Sequence, residues 1–210
     1  MPINSVLLDK ILTWDKHVRV KFRKKDCAMF EALAGKVFAT VVSLSMFLFS
    51  SYSGNDPSFR AINSRVGGDY LQLRTSLVGA FDNDFPDVFK SGTVIPVDFS
   101  LVIKKDSMVL TKAKFQNRVR FDPAKGVYEI YTAGMNRTIK TESYSHMLAE
   151  ISGFECSIPY NPDWGVVSVR LEATLPTVRF AQLKKAVDLM VLWKYQKPRA
   201  SVNLDLRKTL

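Results

Sequence analysis

The chain has 210 residues, enough for one domain and a short extra segment. Its 47% hydrophobic and 24% charged residues exclude a mostly disordered, collagen-like or low-complexity chain, and two cysteines exclude a disulfide framework. Thirty Lys+Arg against twenty Asp+Glu give a net charge of +10, the one unusual global number, which raises nucleic acid or an anionic membrane as partner.

Residues 1–35 read as a basic N-terminal tail. Val6, Leu7, Leu8, Ile11 and Leu12 have helical spacing, with Asn4 or Ser5 as cap. A basic amphipathic helix there would lie on an anionic leaflet, and a solvated tail fits equally well. Residues 36–53 carry the most informative stretch, Val37–Phe49, which has no charge, Gly or Pro. Thirteen residues span only ~20 Å as a helix, short of the ~20 residues a bilayer core needs. Basic residues upstream (Lys21, Arg23, Lys24, Lys25, Lys36), a short apolar core and then Ser50, Ser51, Tyr52, Ser53 and Gly54 follow the order of a secretory signal cut near Ser53. The long stretch before the run calls for a start at Met29 or an uncleaved anchor behind a cytoplasmic tail. Either form of export places residues 54–210 on the periplasmic side of the cytoplasmic membrane. A buried core helix is the alternative.

Residues 54–66 read as a tether, and 67–210 as an all-β domain. Tyr70–Gly79 alternates with Leu71, Leu73 and Leu77 inward; Asp82-Asn83-Asp84 breaks it; Phe85–Gly92 makes a short helical turn. Ile95–Ile103 and Met108–Phe121 are strands joined by the polar turn Lys104–Ser107. After the Asp122–Gly126 turn come Val127–Thr132 and Arg137–Thr141. Ser143 caps a helix with Tyr144, Met147, Leu148 and Ile151 on one face, and Gly153 ends it. Phe154–Tyr160 and Val166–Leu175 are strands, Phe180–Trp193 has helical spacing through Leu183, Val187, Met190 and Val191, and Ser201–Leu206 is a last strand. The expected fold is mainly β: an antiparallel β-sandwich of immunoglobulin or C2-like architecture with one or two short helices, preceded by an N-terminal apolar helix.

Chemistry-bearing motifs are scarce. His17 falls in the tail, which leaves His146 on a helix face. No G-x-S-x-G, Cys-x-x-Cys, Walker loop or G-x-G-x-x-G occurs. No catalytic, metal or cofactor residue is therefore assigned, and no cofactor is expected. Asp82, Asp84 and Asp87 cluster without the spacing of an EF-hand loop, although their oxygens could reach Ca²⁺. Cys156 reads as a small buried hydrophobe. Asn136-Arg137-Thr138 is a formal glycosylation sequon. The basic residues offer an anionic-surface contact: Lys112, Lys114, Arg118 and Arg120 at even spacing, then Lys184, Lys185, Lys194, Lys197 and Arg199. No recognition helix or aromatic-basic interleaving supports nucleic acid.

The stretches Tyr70–Leu77, Ser91–Phe99, Arg118–Tyr128, Tyr144–Ile151, Val167–Pro176 and Leu192-Trp193 together resemble a bacterial envelope family known only as a domain of unknown function. The resemblance covers about 140 residues. It implies an N-terminal signal or anchor followed by one all-β domain, and it carries no catalytic residue. Three functions follow as expectations: an exported, membrane-associated, non-catalytic binding or scaffolding protein with an envelope protein as partner; an envelope-polymer hydrolase using Asp82/Asp84 with Asp163 or Glu172; or, with Val37–Phe49 as core, a cytoplasmic RNA-binding β-protein.

Overall fold

Residues 53–180 and 185–207 are described by the structure, a computed structural model. The basic tail, the apolar run with its expected helix and cleavage site, and Lys184 lie outside the described residues. The described chain is mainly β, with antiparallel sheets and two α-helices.

The larger sheet has six strands: β4 (Ile95–Lys105), β5 (Met108–Asp122), β6 (Val127–Thr132), β7 (Arg137–Thr141), β9 (Val166–Thr174) and β12 (Arg199–Asp205). Their order is β12-β9-β4-β5-β6-β7, antiparallel throughout. The smaller sheet is built on β3 (Tyr70–Val78). Along it pair β1 (Ser58–Phe59), β2 (Asn63–Gly67) and β8 (Gly153–Pro159). The strict alternation of β3, β4 and β9 puts every second residue in the core, which is why the sequence pattern finds them. The β4–β5 turn is shorter than expected: Asp106-Ser107 suffices, with Asp106 at φ 51, and a register shift follows at Ile103/Lys104.

Aromatic side chains from both sheets meet. Phe99 of β4 lies 5.2 Å from Phe154 of β8, Phe115 of β5 lies 5.4 Å from the same ring, and Phe59 of β1 reaches Phe99. A second group joins helix α1 (Phe85–Lys90) to the core through Phe81, Phe85, Phe89 and Trp193. The fully buried Trp193 donates its indole N–H to Ala80 O at 2.7 Å. Helix α2 (Tyr144–Ser152) begins as expected, with the Ser143 hydroxyl accepting from the His146 N–H. Gly153 ends it in extended backbone (φ −68) and not in the left-handed form.

Two expectations need correction. Residues 54–66 are no tether: they supply β1 and the start of β2, and their first residues are bolted into the domain. Asn55, 2% exposed, uses its whole side-chain amide. Its Oδ1 accepts from the Asp82 and Asn83 N–H groups at 3.0 and 2.8 Å, and its Nδ2 donates to Asn83 O and Leu192 O. The second correction concerns Phe180–Trp193. Phe180 closes strand β10 (Thr177–Phe180), which pairs with β11 (Lys185–Asp188), and a 3₁₀ turn follows at Leu189–Trp193. The Asp188 carboxylate caps that turn at Met190 N, and Leu189, Met190, Leu192 and Trp193 are all buried. Val178 and Phe180 are buried in alternation with exposed Thr177 and Arg179, and half-buried Val187 lies between exposed Ala186 and Asp188, so the period-two pairing of a hairpin takes residues whose 3.6 spacing predicts a helix.

Candidate functional site

The outer face of the six-stranded sheet gathers most of the cations that the sequence singled out. Alternation on β5 turns Val119 and Asn117 inward, so Lys112, Lys114, Arg118 and Arg120 all point to solvent. The register adds Arg199 of β12, opposite Glu172 of β9. It also adds Lys104 of β4, and two cations that were not singled out, Arg170 of β9 and Lys140 of β7. Lys194 and Lys197 lie elsewhere, at the corner where the described chain begins, and Lys194 contacts Asp56 at 3.2 Å. Lys185 belongs to β11.

Acids on the face are fewer, and most are engaged. Glu172 pairs with Arg199 at 2.6 Å, Glu129 with Lys140 at 3.5 Å, and at the ends Asp205 with Arg207 and Asp122 with Lys125. Asp98 accepts from the Gln116 amide at 2.8 Å. Lys104, Lys112, Lys114, Arg118, Arg120 and Arg170 have no carboxylate partner among the described residues. Arg118 stacks on the Tyr131 ring, 4.7 Å from its centre.

Three shallow depressions mark this face. One of about 450 Å³ runs over β5, β4 and β9 and is lined by Asp98, Ser100, Lys114, Gln116, Glu172 and Thr174 above Phe99 and Phe115. Another, of about 270 Å³, holds Arg118, Arg120, Glu129, Tyr131 and Thr138. The third lies at Arg170, Arg199, Ala200 and Ser201. None of the three is lined by Asp82, Asp84 or Asp163, so Glu172 shares its depression with Asp98 and not with the carboxylates first paired with it. Asp98 and Glu172 are diagonal neighbours across β4 and β9, since Asp98 is opposite Thr174 and Ser100 opposite Glu172. Such diagonals are ~7–8 Å apart.

The remaining candidates are settled locally. Asp84 stands before α1 with φ 62, its Oδ2 buried without a hydrogen-bond partner. Burial, then the Asp87 charge, raises its carboxyl above the ordinary value. No group of three metal-ligating side chains occurs among the described residues. His146 is exposed and sits 3.4 Å from Glu150. Cys156 is 1% exposed in β8, and burial, then Glu155, pushes its thiol up to about 12, which keeps it from acting as a nucleophile. Asn136 of the sequon lies in an exposed turn and accepts from the Tyr131 hydroxyl.

No family model, curated protein or solved structure matches the chain.

Proposed function

We propose that this chain is an exported, membrane-associated protein of the bacterial cell envelope. Its two sheets pack as a β-sandwich, and the outer face of the larger sheet is a non-catalytic docking surface for an acidic envelope partner. The observation that carries this reading is the run of six cations over β4, β5 and β9 that have no carboxylate partner among the described residues. The ring contacts from Phe99 and Phe115 to Phe154 support the sandwich. Export rests on the residues preceding the domain: a basic flank, Val37–Phe49, and small side chains up to Ser53. Among the described residues no helix is long and apolar enough to cross a membrane.

Fractionation with N-terminal sequencing tests location. A periplasmic protein starting at Gly54 or a full-length inner-membrane protein fits, and recovery in the cytosol overturns the reading. Immobilised heparin, as a polyanion probe, tests the surface. Replacing Lys114, Arg118 and Arg170 by Gln should lower the salt concentration of elution, because each removes charge from one shared field. An unchanged elution position removes the face from the function.

A hydrolase acting on an envelope polymer is the second reading, and Asp98 with Glu172 in the 450 Å³ depression is what favours it. Two carboxyls across an open groove are the minimal glycosidase arrangement. Against it, Glu172 is held by Arg199. Loss of polymer cleavage in Asp98→Asn and Glu172→Gln would establish it, whereas the docking reading expects no cleavage by the unaltered protein.

A further inference from the structure

The corner where the described chain begins contains a feature that the cationic face does not explain. Gly54 and Asn55 are buried, and Gly54 is fastened through its carbonyl to Asn83 Nδ2 at 2.8 Å. The Lys194 side chain lies over Gly54, so close that a Cβ there would meet its Cε at 2.6 Å. The chain is therefore held to the domain from Gly54 onward. Five Cα steps separate Phe49, the last residue of the apolar run, from Gly54, a reach of at most ~18 Å.

Beside this exit, Lys194 and Tyr195 both stand in the left-handed region, at φ 51 and 59. Neither is glycine, the residue that this backbone favours. The kink turns Tyr195 outward, where it is 63% exposed, the most exposed of the large apolar side chains described. Lys194, Gln196 and Lys197 are exposed around it, and the exposed Asp56 carboxylate accepts from Lys194 at 3.2 Å and from the Gln196 amide, so Lys197 is the cation there that Asp56 does not engage. An exposed tyrosine among lysines is the chemistry of the membrane–water interface, where the ring sits at headgroup level and the ammonium groups meet lipid phosphates.

We propose that the domain sits flush on the membrane that holds Val37–Phe49, and that Tyr195 with Lys194 and Lys197 is its contact with anionic lipid headgroups. The inference rests on the membrane reading above and adds the place of contact and the absence of a spacer. It also requires the apolar run to stay attached. A cut after Ser53 would leave a new ammonium group on buried Gly54 beneath the Lys194 side chain, where burial and like charge both disfavour it.

The competing contact is the β4–β5 hairpin tip, where Met108 and Val109 are exposed near Lys104 and Lys105. One experiment separates the two. The full-length chain, with Cys27→Ser and a single environment-sensitive label at Gln196→Cys or Ser107→Cys, is reconstituted into phosphatidylcholine vesicles with or without phosphatidylglycerol. The label at 196 should be shielded from an aqueous quencher when phosphatidylglycerol is present, and the label at 107 should stay accessible. Adding Lys194→Gln and Lys197→Gln should lower the docked-to-undocked ratio roughly 25-fold, at about fivefold per charge. Equal accessibility of the two labels in a vesicle-bound protein overturns the contact and leaves the membrane reading standing. Shielding at 107 alone gives the contact to the hairpin. A chain that does not float with vesicles, or that is recovered from cells starting at Gly54, overturns this inference, and the first of these results also overturns membrane association.

Discussion

Replacing Asn55 by Ala should destabilise the domain by about 3 kcal/mol. The wild-type amide makes four hydrogen bonds, two accepted from the Asp82 and Asn83 N–H groups and two donated to Asn83 O and Leu192 O. Each is worth about 1 kcal/mol net, and a donor left buried costs more. Asp82 and Asn83 are exposed residues, so water reaches part of the vacated site and holds the total near ~3 kcal/mol. In a domain of about this size each kcal/mol lowers Tm by roughly 2–4 °C, so the midpoint should fall by about 6–12 °C. Urea unfolding followed by far-UV circular dichroism gives the free energy, and Asn203→Ala on the exposed face of β12 is the control. If residues 54–66 were a tether, Asn55→Ala would match that control within ~0.5 kcal/mol. Such a result would refute the bolt and, with it, the absence of a spacer before the domain.

Further outcomes follow from other buried groups. The Tyr144 hydroxyl is buried without a partner, and burial first, then Tyr128, Asp82 and Asp87, push it up to about 12. Tyr144→Phe should therefore leave stability unchanged or raise it; a loss above ~1 kcal/mol in urea unfolding would mean that the hydroxyl is satisfied. Folding holds the protons of Tyr144 and Cys156 more tightly than the unfolded chain does, so stability is intact below about pH 9 and falls as pH rises toward 12. Tyr144→Phe should move the alkaline unfolding midpoint, read by circular dichroism, to higher pH. In a Cys27→Ser background Cys156 should react with a thiol reagent only in urea, and rapid modification of the native protein at pH 8 would contradict its burial. Gly79 has φ +64 and a Cβ there would lie 2.7 Å from Asp56 O, so Gly79→Ala should cost about 2 kcal/mol by urea titration through strain and contact together.

Much of the fold was legible because its strands alternate and its turns are chemically explicit. Leu71, Leu73 and Leu77, or Val167, Val169, Leu171 and Ala173, can bury one face only as strands. Ser143 announces α2 through its hydroxyl. Residues 54–66 misled because Asn, Asp, Pro and Ser look alike in a linker and in a structured entry. What fixes Asn55 is a set of partners 28 and 137 positions away, and no local composition reports them. The stretch 180–193 misled for a related reason, since its apolar spacing runs across the end of a hairpin and a buried 3₁₀ turn, and the pairing with β10 that sets the hairpin lies outside any local periodicity. The candidate face was half legible. Even spacing on β5 was visible, but Arg170 and Lys140 join it only through the strand order β12-β9-β4-β5-β6-β7, and so does the neighbourhood of Asp98 and Glu172.

The charge itself has an order that its total conceals. Residues 1–53 carry eight Lys/Arg and four Asp/Glu, a net of +4, and the remaining 22 against 16 leave +6 for the rest of the chain. On the outer face the paired cations stand on the two edge strands, Arg199 on β12 and Lys140 on β7. Those without partners stand on the strands between, Arg170 on β9, Lys104 on β4 and four on β5. A face shaped for solubility alone intersperses both signs, and edge charges already serve to keep a sheet from pairing with another. Here the margins are neutralised and the middle is left positive. Adjacent strands are ~4.8 Å apart and alternate residues ~6.6 Å apart, within the ~8 Å Debye length at physiological ionic strength, so the fields of the central cations add. A small buried anion would need several donors converging on one enclosed cavity, yet the 450 Å³ depression holds a single cation without a partner, Lys114, beside two carboxylates, and the 270 Å³ depression sets Arg118 and Arg120 beside Glu129, with the Arg118 guanidinium stacked on Tyr131. The arrangement instead matches an extended acidic surface laid across the strands, which is why the docking reading places its partner on the whole face and not in the pocket.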